Sequence, residues 1–288
     1  MYHKAYGIIE TLAPLHVGAT AGEETGNLNL IFRDQFTQTG IIPGSSIRGR
    51  FRSDMRQRGE GSEANREQVD WWYGKDSRNS SSNDEEKTSE GIVKFEYASL
   101  VWLPVFCPGQ PVVRVSCPRL LKRYQRISGL PEHSFTPQTY CGKKDSERKK
   151  LFFNLGFLPL DSQDEKLKNY IPEEISDAKE YLLVVVDDTA MPMIHDMALY
   201  RQSRVALEDD QKKVSGKAFF NVEALPEGTV LAFPVALRQQ YKGLPIAWDD
   251  YVNATGLRTP QEVYLGGLES VGFGRSQICL KQQSEQAM

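Results

Sequence analysis

The sequence predicts an antiparallel α+β fold. Strand-like runs outnumber helical ones, and no helical stretch stands as a regular crossover between parallel strands. The apolar runs are also bounded by turns: in AFFNVEALPEGTVLAFPVAL, Leu-Pro-Glu-Gly-Thr separates two strands. The 288 residues suffice for one large domain or two small ones, and 40% hydrophobic content sustains a sizeable core.

Residues 5–17, AYGIIETLAPLHV, alternate as a first strand, and GATAGEETGNLN follows as a loop. An extended apolar run from Phe36 to Ile42 ends at Pro43 and Gly44, which break the chain direction. Ser45 or Ser46 is placed to N-cap the helix that follows, with Ile47 and Phe51 facing a core. Arg48, Arg52 and Arg56 form a second stripe, and Arg50 and Arg58 bring the segment to five arginines. A helix start offers unpaired N–H groups and partial positive charge, which together attract anions. The segment fits a phosphate site or a solvated basic face; the arginines beside a capped helix start favour phosphate.

Residues 59–90 are polar and read as a flexible insertion, above all DSRNSSSNDEEKTSEG. Within them, WWYG reads first as a core contact and second as a base-stacking platform. Two strand-like runs, GIVKFEYASLVWLPVF and QPVVRVSC, lead into a helix, PRLLKRYQRI, with Pro118 in its first turn. Leu120, Leu121 and Tyr124 point inward there, and Arg119, Lys122, Arg123 and Arg126 outward. Residues 129–180 form a second, less defined insertion, in which the basic GKKDSERKK precedes an acidic region. YLLVVVDD is a buried strand, and VYLGGLESVGFGRSQICL is a glycine-rich connection into a final one.

The formal net charge is −3, but it is unevenly placed. Gly59–Gly91 holds nine acids and four bases, and Asp161–Asp188 nine acids and three bases. Taking both from the totals of 38 acids and 35 bases leaves 20 acids against 28 bases. An acidic chain thus has room for a polyanion-binding face. Cys107, Cys117, Cys141 and Cys279 form no C-x-x-C pair, and the four histidines are dispersed. Buried or scattered thiols are expected, with neither metal nor cofactor. No run of 18 apolar residues exists and MYHKAYGIIE has no signal-peptide core, so a soluble, cytoplasmic protein without a membrane partner is expected.

Three stretches together carry a family likeness: GIIPGSSIRGRFR, VALEDDQKKVSGKAFFNVEALPEGT and LGGLESVGFGRSQI. With them the chain resembles the RAMP (repeat-associated mysterious protein) superfamily of CRISPR-associated proteins. SLVWLPVFCPGQPVVRVSCPRLLKRYQR is similar to the repeating backbone subunit of type III-B Cmr complexes, with the Csm backbone subunit next. The resemblance implies a single domain over 1–288, built on a ferredoxin-like, RNA-recognition-motif-like antiparallel core with a thumb hairpin near 200–218. It implies copies stacked along a CRISPR RNA, with target RNA and other type III effector subunits as partners. In this reading Ser45, Ser46, Arg48, Arg50 and Arg52 meet the RNA. Gly266, Gly267, Gly272 and Gly274 let a phosphate backbone approach main-chain N–H groups, beside Arg275. The same glycines also fit a plain tight strand connection. Arg201, Arg204, Lys212, Lys213 and Lys217 are the thumb cations, which fit phosphate contacts or an exposed charged hairpin.

Active backbone subunits of this family cut target RNA with an aspartate in the loop before an R-D/E element. Counted back from Arg33-Asp34, that position holds Leu28, and a slip of one residue gives Asn27 or Asn29. Neither residue type supplies a general base. Glu23 and Glu24 lie nearby on a glycine-rich loop. The expectation is an RNA-binding subunit with no catalytic residue of its own. The alternative is an endoribonuclease acting on target or precursor CRISPR RNA, with His16 as acid/base, although a lone histidine at a strand end is more often packing. A small-ligand enzyme needs a convergent polar constellation that the sequence does not offer.

Overall fold

Strand β1 (Tyr2–Thr11) carries apolar residues to both of its faces: Ala5 and Ile9 join one core cluster, Ile8 another. A strand buried on both sides has no reason to alternate strictly with polar residues. The computed structural model describes residues 1–18, 28–59, 62–75, 88–142, 150–154, 156–175, 181–208 and 211–283, with backbone alone at 28, 111, 205–208 and 211–220. After β1 come β2 (Leu28–Asn29), β3 (Ile41–Ile42), α1 (Gly44–Arg58), α2 (Glu63–Tyr73), β4 (Val93–Phe95), β5 (Ala98–Cys107), β6 (Gln110–Ser116) and α3 (Pro118–Ser128). The middle of the chain forms β7 (Thr139–Cys141), β8 (Lys150–Phe153), β9 (Gly156–Pro159), β10 (Ser162–Gln163), β11 (Leu182–Val185) and α4 (Met191–Ala198). The last third forms β12 (Tyr200–Glu208), β13 (Gln211–Ala224), β14 (Val230–Arg238), β15 (Gln240–Tyr241), β16 (Leu244–Pro245), α5 (Trp248–Thr255), β17 (Gln261–Tyr264) and β18 (Arg275–Gln282).

The main sheet runs β10-β7-β11-β6-β5-β14-β1-β18-β17. Its centre is antiparallel, with β1 between β14 and β18 and with β5 between β14 and β6. Towards one edge β11 lies parallel to β6, and β10 parallel to β7. The sheet is therefore mixed, which corrects the purely antiparallel expectation. The connection from β6 through α3 to β11 is a crossover between adjacent parallel strands. Four short strands and their loops lengthen it, so no regular strand–helix–strand spacing shows in the sequence.

The two principal helices pack on opposite faces of this sheet. Ile47, Phe51 and Met55 of α1 join Ile9, Leu231, Phe233 and Ile278 on one face. Leu121, Tyr124 and Ile127 of α3 join Ile8, Val230, Ala232 and Cys279 on the other. Burying one such side chain stabilises by about 1.5–3 kcal/mol. Residues 63–73 are no flexible insertion: Ser62 caps α2 by accepting from the Asn65 N–H, and Val69, Trp72 and Tyr73 enter the α1 cluster. The WWYG segment is a core contact, with Trp72 edge-on to Tyr251 at 5.1 Å. The tract 76–87 lies outside the described residues, as does 143–149 of the basic patch. All four cysteines are buried, and none of them forms a disulfide.

Candidate nucleic-acid interface

α1 begins without a serine cap. Pro43 is the capping residue, and its carbonyl accepts from the N–H groups of Ser46 (2.9 Å) and Ile47 (3.3 Å). Ser45 and Ser46 lie inside the first turn, which corrects the capping role expected of them. The reason is steric. The first helical residue, Gly44, passes so close to β4 that a Cβ there would meet the Phe95 carbonyl oxygen at 2.5 Å. Phe36 is not extended either: Asp34 Oδ1 accepts from the N–H groups of Phe36 (3.0 Å) and Thr37 (2.7 Å), folding Gln35–Thr37 into a turn. Burial alone raises the Asp34 carboxyl pKa, but these hydrogen bonds outweigh it and hold the group below its ordinary range.

Three of the five arginines clamp helix ends. Arg48 donates to the Tyr73 carbonyl, and Arg52 to the Gly74 carbonyl at 3.1 Å, both at the C-terminus of α2. Arg58 donates to the Thr255 carbonyl at 2.5 Å, at the C-terminus of α5. A helix ends with unpaired carbonyls and partial negative charge, so cations there are favoured. Arg50 is placed differently. It pairs with Asp54 at 2.8 Å on its own helix and reaches Glu269 at 3.5 Å. Between α1 and the glycine loop it lines a groove of about 360 Å³, with Ser46, Phe32, Tyr264, Gly266 and Gly267.

In the glycine loop, Gly266 has φ +76° and Gly274 φ +88°, and added Cβ atoms would meet the carbonyl oxygens of His16 and Leu265 at 2.1 and 2.3 Å. These two glycines serve a tight strand connection. The N–H of Gly267 goes to the His16 carbonyl at 3.0 Å, that of Gly272 to Glu269 at 3.1 Å and that of Gly274 to Pro14 at 2.9 Å. Three of the four main-chain donors expected for phosphate are thus already engaged, which corrects that expectation. Gly267 still offers an open surface on the groove. Arg275 is exposed at the start of β18, paired across the ladder with Tyr264 of the groove. His16 is buried, and its Nδ1–H donates to the Glu223 carbonyl at 2.7 Å.

The expected thumb is the β12–β13 hairpin, and its base is held by charge. Arg33 Nη2 reaches both Asp196 and Glu223 at 3.1 Å, and Arg201 Nη2 reaches them at 2.9 and 3.1 Å. The Glu223 side chain is only 3% exposed. Burial raises the Asp196 pKa, but the hydrogen bond from Arg33 and the charge of Arg201 outweigh it and hold the carboxyl low. Arg201 is therefore engaged at the thumb base, and Arg204 is half-buried further along β12. The side chains of Lys212, Lys213 and Lys217 lie outside the described residues, as do Glu23 and Glu24. Leu28 and Asn29 form β2, parallel to Asn221 and Val222 of β13. The nearby carboxylate of Glu223 is committed to two arginines.

Sequence reasoning missed Glu269 as the partner of Arg50, and the Asp196–Glu223 pairing with Arg33 and Arg201. It missed His195 as well, which is wholly buried on α4 and accepts the Gly40 N–H at Nε2 (2.9 Å). Long-range ion pairs leave no periodic trace in a sequence. Among the described residues, no three His, Cys, Asp or Glu side chains converge as a metal site, and no helix is long and apolar enough to cross a membrane.

The groove thus joins one arginine, Arg50, and its partner Glu269 with Ser46, Tyr264 and the open Gly267 on a mixed α+β sheet, and comparison with known proteins places that fold. The RAMP superfamily model matches residues 8–277, so the chain belongs to the RAMP superfamily. Its fold is that of the type III-B Cmr-beta apo state, with TM-score 0.70, 20% identity and 98% of each chain covered. The type III-B Cmr-beta bound to cognate target RNA gives TM-score 0.72 at 20% identity, over 97% of this chain and 98% of that one. Oligomeric Cmr4 from Pyrococcus furiosus gives 0.67 at 15% identity, over 98% and 99%. No curated protein sequence matches the chain.

Proposed function

We propose that this chain is a CRISPR RNA-binding backbone subunit of a type III effector complex, without a target-cleaving carboxylate of its own. The observation that carries the reading is the groove between α1 and the glycine loop, where Arg50 faces Gly267 and Tyr264. Arg50 meets the strand by exchanging its Asp54 and Glu269 partners for phosphate, Arg275 adds charge beside Tyr264, Ser46 gives a hydroxyl, and Tyr264 a ring on which a base can stack. Arg48 and Arg52 act one step back, fixing α1 against α2. Target RNA and other type III subunits are the partners, a reading supported by a similar fold solved with cognate target RNA. The antiparallel block β5-β14-β1-β18 is the ferredoxin-like core of the single domain, and β12–β13 is its thumb. The protein works in the cytoplasm, in antiviral defence.

The test is salt-dependent RNA binding. Arg50→Ala weakens binding regardless of RNA sequence and lowers the log–log salt slope by about 0.7, the single-strand value for one phosphate contact. A folded variant with unchanged affinity and slope removes the groove from consideration.

A further inference from the structure

We propose that the outer face of α3, with the grooves on either side of it, is a second surface for single-stranded RNA. Arg119, Lys122 and Arg126 are exposed on this helix, and none forms an ion pair with a described residue. Spaced three and four residues apart, they repeat positive charge along one face at roughly 5–6 Å intervals. Arg123 lies between them, over the Tyr97 ring at 4.2 Å and bonded to Ser99 Oγ at 2.9 Å. Glu96, 3.7 Å from Arg123, already neutralises that one guanidinium.

Two grooves flank the helix and share Arg123 and Arg126. One, of about 570 Å³, reaches Lys4 and Tyr2; the other, of about 160 Å³, reaches Arg119 and Phe36. Each groove therefore ends on an open aromatic ring. Phe36 is 79% exposed and Tyr2 45%. The Asp34 carboxylate holds the turn that carries Phe36 outward, so an apolar ring is fixed in water where hydrophobicity alone would withdraw it. Repeated cations interleaved with exposed rings fit a ligand that alternates phosphates with flat bases. An acidic helix would match the charges but leave both rings without a use. The helix α3 packs on the sheet face opposite α1, and its two grooves share no lining residue with the Arg50 groove.

The experiment uses full-length protein and a single-stranded oligouridylate carrying 5-bromouridine, with photo-crosslinking and salt titration run in parallel. Expected are crosslinks to peptides containing Phe36 or Tyr2. They are lost in the triple variant Arg119→Ala, Lys122→Ala, Arg126→Ala, whose salt slope falls by about 2, or roughly 0.7 per contact. They persist in Arg119→Lys, Arg126→Lys, which keeps the charge, and in Arg50→Ala. Absence of those crosslinks in the wild type, with an unchanged slope in the triple variant, overturns the proposal. The groove reading then stands or falls separately on Arg50→Ala. Polyglutamate that binds the α3 face while oligouridylate does not crosslink there assigns the face to an acidic protein segment, and also overturns it.

Discussion

Arg48, Arg50 and Arg52 are near neighbours in sequence with different work to do. Arg48→Ala and Arg52→Ala strip hydrogen bonds from the carbonyls that end α2. Each is expected to cost about 1–3 kcal/mol in urea unfolding, with no change in the RNA salt slope. Arg50→Ala should show the reverse, and a slope change in the first two variants would mean that they touch RNA after all. His195 gives a pH signature. Burial, aided by the charge of Arg33, pushes its pKa down to about 3 from an ordinary 6.5. The unfolded chain therefore binds one more proton between those values, and stability falls as pH drops through that window. The slope should approach about 1.4 kcal/mol per pH unit from this group. His195→Gln keeps an acceptor for the Gly40 N–H without titrating, so its stability should depend less steeply on pH between 6 and 4, measured by urea unfolding at fixed pH steps. An unchanged slope would show that other groups dominate acid unfolding.

At the scale of elements, legibility followed local pattern. α3 was readable because Pro118 opens it and its Leu120, Leu121 and Tyr124 recur at helical spacing. α1 was readable from Pro43-Gly44 and the Ile47–Phe51 pair, though its cap was not, since the contact of Gly44 with β4 is a tertiary fact. α2 was hidden because its core residues Val69, Trp72 and Tyr73 sit in a polar, glutamate-rich context. At the parallel edge of the sheet β6 and β11 were visible as strands but their pairing was not, while β7 and β10, of three and two residues, are too short to show any period. The β12–β13 hairpin was visible as a charged two-strand unit, but not the four-residue charge cluster at its base. That cluster bears on truncation. Removing about ten residues around Glu208–Ser215 leaves Arg33, Asp196, Arg201 and Glu223 in place, so the core should keep its cooperative thermal unfolding. Guide–target duplex accommodation should be impaired. Insoluble protein would show that the hairpin tip belongs to the core.

At the scale of the whole molecule, the proposed absence of cutting becomes a property of the assembly. Leu28 and Asn29 run beside β13, at the base of the hairpin, so the position at which the resemblance leads one to expect an aspartate has a defined place in the fold. Target RNA facing this subunit should stay intact in assembled complex with magnesium, because general acid–base groups typically supply about 10²–10⁴-fold. Leu28→Asp or Asn29→Asp is expected to restore a cut at that interval. A wild-type cut that disappears on replacing Glu23, Glu24 or His16 would instead make the chain a nuclease. The family was legible from three motifs in order; the division of labour among the arginines was not, because it depends on which helix ends they meet. Those helix-end clamps also decide who bears the entropic cost of association. With α1 locked to α2, α5 and the sheet, the groove wall is rigid before any strand arrives. The loss of conformational freedom then falls almost wholly on the nucleic acid. A strand already stacked and extended surrenders least, so in the role proposed for the groove the stiffness of the RNA itself becomes a criterion by which a ligand is chosen.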